Sequence, residues 1–409
     1  MRQLAGWDLA AWRMAKSDPT LRSTVVGIVE LASVVQANVI LERLHAVVAR
    51  EPALRSIIVE EAHGAVVKEI SSIEVDHHIH MPERVMDVSR TLSEFAEAEF
   101  DTARPLWRTL ILNTGQHTIL ATAFHHAIAD GQAAMMMLSQ LLDNPPALPE
   151  VERPEPAPKS ERSFKESAMP VVDRMLKDPV GLTSDISKVV QSINSLLQVP
   201  LNPKSQARSP HFHFVAWECD RRQTTLNVHD AVVATAVDAW HSYTSHQSVV
   251  VNVPVAGYDV GGTNRFMIAR LKLNPRPANP VLVAAESKEA LKRWRNEPAA
   301  VLLPQILNLA QYVPSGMLGN VLKQGEITVS TVRGTSGEAS IGGVAVQRVV
   351  PMVSPIGVAL NFTTAVLGDH VMIGVTADAA VFESRSIVIA TVESALLRIF
   401  GFLPARINF

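Results

Sequence analysis

His125 and His126 open the run His125-His126-Ala127-Ile128-Ala129-Asp130-Gly131, and an Asp-Gly pair closes it. An imidazole with a free pKa of about 6.5 is mostly neutral at pH 7, so it can take a proton from a hydroxyl or amine without first losing one. A general base of this kind needs one ring nitrogen aimed at the substrate and a second contact on the other nitrogen. Asp130 can orient such a loop through an ion pair or hydrogen bonds, and Gly131 lets the chain turn tightly. A histidine pair can also be two satisfied, partly buried side chains in a tight connection. The Asp-Gly at this spacing, behind a strand, favours the base.

The elements around the run must hold it in place. Thr118 to Phe124 is an apolar run that reads as a buried strand, and Gln132 to Leu142, rich in Ala, Met and Leu, reads as a helix. The pair therefore sits at a strand end that turns into a helix. Upstream, Val25 to Ala32 reads as a strand. Asn38 to Glu51 reads as a helix with Asn38 as its N-cap, and after Pro52 the run Ala53 to Val59 reads as another strand. This alternation indicates a mixed α/β structure.

Asn144 to Lys159 holds six prolines and reads as an extended connector. Beyond it, Ile186, Val189, Val190, Ile193, Leu196 and Leu197 form one apolar stripe of a helix, which either faces the core, as is most often the case, or faces lipid or covers a tunnel. From His211 the pattern is strand, then a helix from Asn227 to about Tyr243, then the strand Ser248 to Val253. Short alternating runs of Val, Ile, Thr and Gly from Glu326 to Val381 indicate sheet, and a last helix covers Ser384 to Phe400. The 409 residues thus divide into an N-terminal lobe (1–143) carrying the histidine loop, a connector with a crossover helix (144–208) and a C-terminal lobe (209–409).

Composition narrows the function. A net charge of −3 gives no basic footprint for nucleic acid. One cysteine, Cys219, allows neither an internal disulfide nor a thiolate metal cage, which suits a cytoplasmic compartment. No stretch approaches the roughly 18 uninterrupted apolar residues of a membrane span, so membrane contact is expected to be peripheral. Asp76, His77, His78 and His80 resemble a metal cluster, and on a strand Asp76, His78 and His80 would share one face. A third well-placed ligand and an open site are also needed, so no metal is expected. Met135, Met136 and Met137 read as helix packing, and Cys219 as a spectator. Trp107 either lines a substrate path or packs in the core.

The run HHAIADG matches the HHxxxDG motif of the condensation and chloramphenicol acetyltransferase-like acyltransferase superfamily. Within it, the chain resembles the bacterial wax ester synthase/diacylglycerol acyltransferase family in several segments. These are Met1 to Leu4 with Trp7-Asp8, Leu41 to Ile58, Ile73 to Met81, Phe100-Asp101 and Arg104 to Arg108. Asn227 to Val233 and Asn252 to Asn274 resemble that family's second-lobe motifs. The chain is short for the family. Thr328 to Gly334 replaces an Asn-Val-Pro-Gly-Pro stretch, and His229 stands where asparagine is usual, beside a retained Asp230.

The resemblance implies two chloramphenicol acetyltransferase-like lobes, each a mixed β-sheet with helices, and an active-site tunnel between them. It implies an O-acyltransferase that moves a fatty acyl group from acyl-CoA to a lipophilic alcohol or diacylglycerol, giving a wax ester or neutral lipid. His126 would be the base, with His125, Asp130 and Gly131 shaping its loop. Acyl-CoA would be a co-substrate, with no separate cofactor. Asn264 and Ser330 are candidate oxyanion donors. Peripheral contact with a membrane or lipid droplet would fit such substrates. Two alternatives remain at this point: a condensation-type transferase using a carrier-bound acyl group in polyketide or peptide biosynthesis, and a catalytically silent lipid-binding or interaction module on the same fold.

Overall fold

The computed structural model describes residues 2–61, 64–146, 207–256, 264, 266–275, 279–296, 319, 323, 325–334 and 339–409. The elements of the first part are β1 (Arg2–Gln3), α1 (Gly6–Ser17), β2 (Thr24–Leu31), α2 (Ala37–Arg50), β3 (Ser56–Glu61) and β4 (Gly64–Glu69). They continue as β5 (Ile79–His80), α3 (Val88–Glu97), β6 (Trp107–Asn113), β7 (Thr118–His125) and α4 (Gly131–Ser139). The second part runs β8 (Phe212–Asp220), α5 (Val228–Thr244), β9 (Val249–Ala256), β10 (Phe266–Leu273), α6 (Pro280–Asn296), β11 (Ile327–Arg333) and β12 (Ser340–Ile341). It ends with β13 (Val344–Val353), β14 (Leu360–Leu367), β15 (His370–Asp378), α7 (Arg385–Phe400) and β16 (Ala405–Ile407).

These strands form two main mixed sheets. The first has the order β12-β13-β2-β7-β6-β5, and the second β10-β9-β11-β14-β15-β8-β16; β1, β4 and β3 make a small separate sheet. The expected two-lobed α/β architecture is present. The boundary expected at 209 needs correction, because it does not separate the sheets: β13 lies antiparallel against β2, with Val353 opposite Val25. A stretch from the last quarter of the chain thus completes the first lobe.

β2 and β7 are buried on both faces, and this explains their unbroken apolar runs. Val25, Val29, Leu120 and Phe124 pack into the first lobe's own core. The alternate residues Val26, Ile28, Ala121 and Ala123 pack against Phe212, Phe214 and Met372 of the second sheet. At Gly27 a β-carbon would fall 2.0 Å from Leu138 Cδ1, so only glycine lets α4 lie this close on β2.

Helix starts follow local rules. Asn227 caps α5, Ser384 caps α7 and Asp130 caps α4, each accepting a backbone N–H through its side chain. Asn38 does not cap α2. The N-cap is Gln36, without a side-chain bond, and Asn38 falls inside the first turn. Pro52 to Arg55 forms a 3-10 turn before β3, since proline at a first helical position costs no hydrogen bond. The proline connector after Pro146 and the apolar stripe from Ile186 to Leu197 lie outside the described residues.

Candidate active site between the two lobes

The histidine loop is pinned by backbone bonds on every side. His125 closes β7 opposite Thr24, and its N–H donates to the Leu106 carbonyl at 2.9 Å. The His126 N–H donates to the Ser23 carbonyl at 2.9 Å, and the Ile128 N–H to the His125 carbonyl at 3.0 Å. Ala127 and Ala129 are fully buried, which anchors the turn. Asp130 Oδ1 then accepts from the Ala133 N–H at 2.8 Å and starts α4.

The two imidazoles differ in surroundings. His125 is buried edge-on between Trp12 and Phe100, and its Nδ1 accepts from the Ala127 N–H at 3.0 Å. Burial, followed by repulsion from His126 and Arg108, pushes its pKa down to about 3. It is therefore a neutral structural group. His126 is half-buried and lines a cavity of about 540 Å³ between the lobes. Burial lowers its pKa from the ordinary histidine value, while the Asp130 carboxylate and, more weakly, Asp8 pull it back up. Its own backbone carbonyl and the Asn264 side chain also favour the charged ring.

The second lobe fixes this geometry. Asn264 is fully buried; its Nδ2 donates to the His126 carbonyl at 2.7 Å and to Asp8 Oδ1 at 2.7 Å. Asp8 Oδ1 also accepts from the Asn264 N–H at 3.1 Å, and Asp8 Oδ2 accepts from Arg2 at 3.0 Å. Phe266 holds the cavity wall between Trp7, stacked at 5.9 Å, and His126, at 5.7 Å. At Gly131 a β-carbon would meet Val332 Cγ1 at 2.8 Å, so glycine allows α4 to approach β11. Gln132 Oε1 accepts from the Arg333 N–H at 3.1 Å and ties the same two elements together. The remaining wall carries Thr328, Ser330, Thr363 and Asn361, with apolar Ala11, Met14, Ile268, Val332 and Ile356.

The expected site residues separate into three groups. His126, Asp130, Gly131 and Ser330 line the cavity; His125 braces the loop from behind. Asn264 does not line the cavity, and both protons of its amide are already donated, so it is not an oxyanion donor. Ser330 Oγ donates to Thr363 Oγ1 at 3.2 Å. Trp107 also lies off the cavity. It stacks on His78 at 4.5 Å and donates through Nε1 to the Leu54 carbonyl at 2.8 Å.

The Asp76 to His80 segment is not one strand: Val75–His78 forms a 3-10 turn and only Ile79–His80 is extended, as β5. Its side chains turn to separate partners: Asp76 to His45, His77 to Glu74, and His78 to the Trp107 carbonyl. His229 meets Thr331 Oγ1 at 3.1 Å, and Asp230 pairs with Lys288 at 2.8 Å. Sequence reasoning missed the roles of Trp7, Asp8, Ser23 and Phe266. Their signals were that Trp7-Asp8 and Phe266 belong to segments shared with the resembled family, whereas Ser23 had none.

Comparison with known proteins bears on the family and the fold. The wax ester synthase/diacylglycerol acyltransferase catalytic-domain model matches residues 4–231, and the WS/DGAT C-terminal domain model matches residues 262–399. A probable diacylglycerol O-acyltransferase of Mycobacterium tuberculosis is 28% identical over 257 residues, 59% of this chain and 53% of the relative. The match thus spans about half the length of that curated relative. The wax ester synthase/diacylglycerol acyltransferase of Marinobacter aquaeolei VT8 superposes with a TM-score of 0.64 at 17% identity, over 98% of this chain and 100% of that one. The first condensation domain of the CDA synthetase superposes with a TM-score of 0.65 at 13% identity, over 98% and 96%. A mutant starter condensation domain of rhizomide synthetase, solved with C8-CoA and Leu-SNAC, gives 0.61 at 12% identity, over 99% and 95%. The structural likenesses are of fold. The catalytic-domain model alone covers more than half of the residues, and on that ground this chain belongs to the wax ester synthase/diacylglycerol acyltransferase family.

Proposed function

We propose that this protein is an O-acyltransferase that moves a fatty acyl group from acyl-CoA to the hydroxyl of a lipophilic alcohol or diacylglycerol. The reading rests on His126, a histidine below its ordinary pKa, braced by a buried Asn264–Asp8 pair and facing a largely apolar cavity between two lobes. Nε2 of neutral His126 takes the acceptor's proton as the hydroxyl oxygen attacks the thioester carbonyl. The tetrahedral oxyanion then collapses, the C–S bond breaks, and the CoA thiolate recovers the proton from His126. No acyl-enzyme is invoked, and acyl-CoA is a co-substrate rather than a resident cofactor.

The Mycobacterium relative's name and the C8-CoA held by the rhizomide synthetase domain support this choice of acceptor and donor. Among the described residues no helix is long and apolar enough to cross a membrane. Contact with a membrane or lipid droplet, where such substrates reside, is accordingly proposed as peripheral. The test is thiol release from palmitoyl-CoA by the purified protein with hexadecanol, dipalmitoylglycerol or no acceptor. Acceptor-dependent release, lost in His126→Ala, is expected. No release above that variant with any acceptor would sink the CoA-dependent reading and favour a carrier-bound donor or a silent module.

A further inference from the structure

Residues that line the cavity His126 faces carry hydrogen-bonding atoms that the protein itself leaves unused. Among the described residues, Ser23 Oγ, Trp7 Nε1 and Asn252 Oδ1 are buried side-chain atoms without a partner, and all three residues line this cavity. Buried polar groups are nearly always paired, so an orphan in a substrate cavity marks a place where a ligand atom completes the bond. The polarity of each orphan then describes that ligand. An indole N–H can only donate and an amide oxygen can only accept, whereas a serine hydroxyl can do either.

Ser23 has a direct structural link to the base. It is 3% exposed, and its carbonyl accepts the His126 N–H at 2.9 Å. Its neighbours are held as well: Ser354 Oγ accepts the Thr24 N–H at 2.9 Å and donates to the Arg22 carbonyl at 2.8 Å. The Ser23 hydroxyl therefore has little freedom to move away from the His126 backbone. Trp7 lines the same cavity from α1. Its indole stacks on Phe266, the ring that His126 also touches. The two residues expected from sequence to serve as oxyanion donors have their protons committed elsewhere, Asn264 to Asp8 and His126, and Ser330 to Thr363.

We propose that Ser23 Oγ donates to the oxyanion of the tetrahedral intermediate, with Trp7 Nε1 as the second donor; this rests on the acyl-transfer reading above. As the acceptor oxygen forms its bond to the thioester carbon, the carbonyl π pair moves onto oxygen. The charge develops beside these two donors while His126 holds the acceptor's proton. When the C–S bond breaks, the carbonyl reforms and the thiolate takes that proton. Asn252 Oδ1 accepts from a substrate N–H or O–H elsewhere on the wall. Donors aligned before the charge appears stabilise the transition state more than the ground state.

The experiment measures kcat and KM for palmitoyl-CoA, together with Tm, for the wild type, Ser23→Ala, Trp7→Phe and His126→Ala. Ser23→Ala should lower kcat by about 10² to 10³-fold with KM nearly unchanged. Its Tm should be unchanged or higher, because the removed hydroxyl has no partner in the folded protein. A merely structural serine would instead lower Tm and spare kcat. Trp7→Phe keeps the stack on Phe266 and should give a smaller fall in kcat. Turnover that depends on His126 but survives Ser23→Ala would overturn the donor role and leave the acyl-transfer reading intact. Absence of wild-type turnover with every acceptor would overturn both.

Discussion

Asn264 crosses from the second lobe to donate its amide to the backbone carbonyl of His126 at 2.7 Å, and the same amide is anchored on Asp8. The lobes are thus joined at the base itself. That carbonyl belongs to the base's own residue, so its placement bears directly on where the imidazole sits. Asn264→Ala should lower kcat by about a hundredfold through misplacement of the base, with a much smaller change in KM. Asp8→Asn should show the same split more weakly, and steady-state kinetics on both variants checks it.

The pH profile of kcat should fall on the acid side below the ordinary imidazole value of about 6.5, because only neutral His126 can accept a proton and its pKa is lowered. The Asp130 carboxylate stabilises the charged ring, so removing it shifts the limb further down. Asp130→Asn retains an N-cap side chain for α4 and should leave Tm close to wild type. A limb that stays in place, or moves up, would contradict the assigned electrostatics.

His125 links pH to stability. It stays neutral in the fold down to about pH 3, whereas the unfolded chain protonates this histidine near 6.5. Below 6.5 the unfolded state binds a proton that the native state refuses, so stability present at neutral pH is lost as pH falls. Between pH 6.5 and 4 the loss from this one group is on the order of 3 kcal/mol. His125→Asn offers an oxygen to the Ala127 N–H and should flatten the dependence by about one proton. Urea unfolding at pH 7, 5 and 4 measures the difference.

Gly131→Ala should cost about 1–3 kcal/mol and reduce turnover, because the new methyl strikes Val332 Cγ1. Adding Val332→Ala makes room and should restore much of both losses. A double variant no better than the single would show that the glycine is needed for another reason.

Trp107→Phe should lower stability by about 1–3 kcal/mol, since the Leu54 carbonyl loses its buried donor. kcat and KM should remain at wild-type values, because the ring lies off the cavity. A selective rise in KM would return Trp107 to the substrate path.

What could be read before the fold was known was local. The strand, histidine turn and helix from Thr118 to Ser139 stand where the apolar run and the Asp-Gly pair placed them. The helix from Asn227 and the one from Ser384 begin as their capping side chains indicate. Pairings across long separations left no such mark. Asn264 and Asp8 are 256 residues apart, and nothing in the spacing of either reveals the other. Asp76, His78 and His80 would share one face only if the backbone stayed extended, and Val75–His78 instead forms a 3-10 turn. Of these side chains only His78 is buried, stacked on Trp107, while Asp76, His77 and His80 stay exposed.

The strand β13 governs how this protein can be assembled. Residues 344–353 occupy the flank of β2, a strand made more than 300 residues earlier. During synthesis the first lobe must wait with that edge unpaired, a row of free amides and carbonyls open to self-association. A fragment ending before residue 340 would therefore carry the histidine loop on an unfinished sheet. No single cut of the chain separates the two sheets, because residues 344–353 return to the first one after β8 to β11 have been laid into the second.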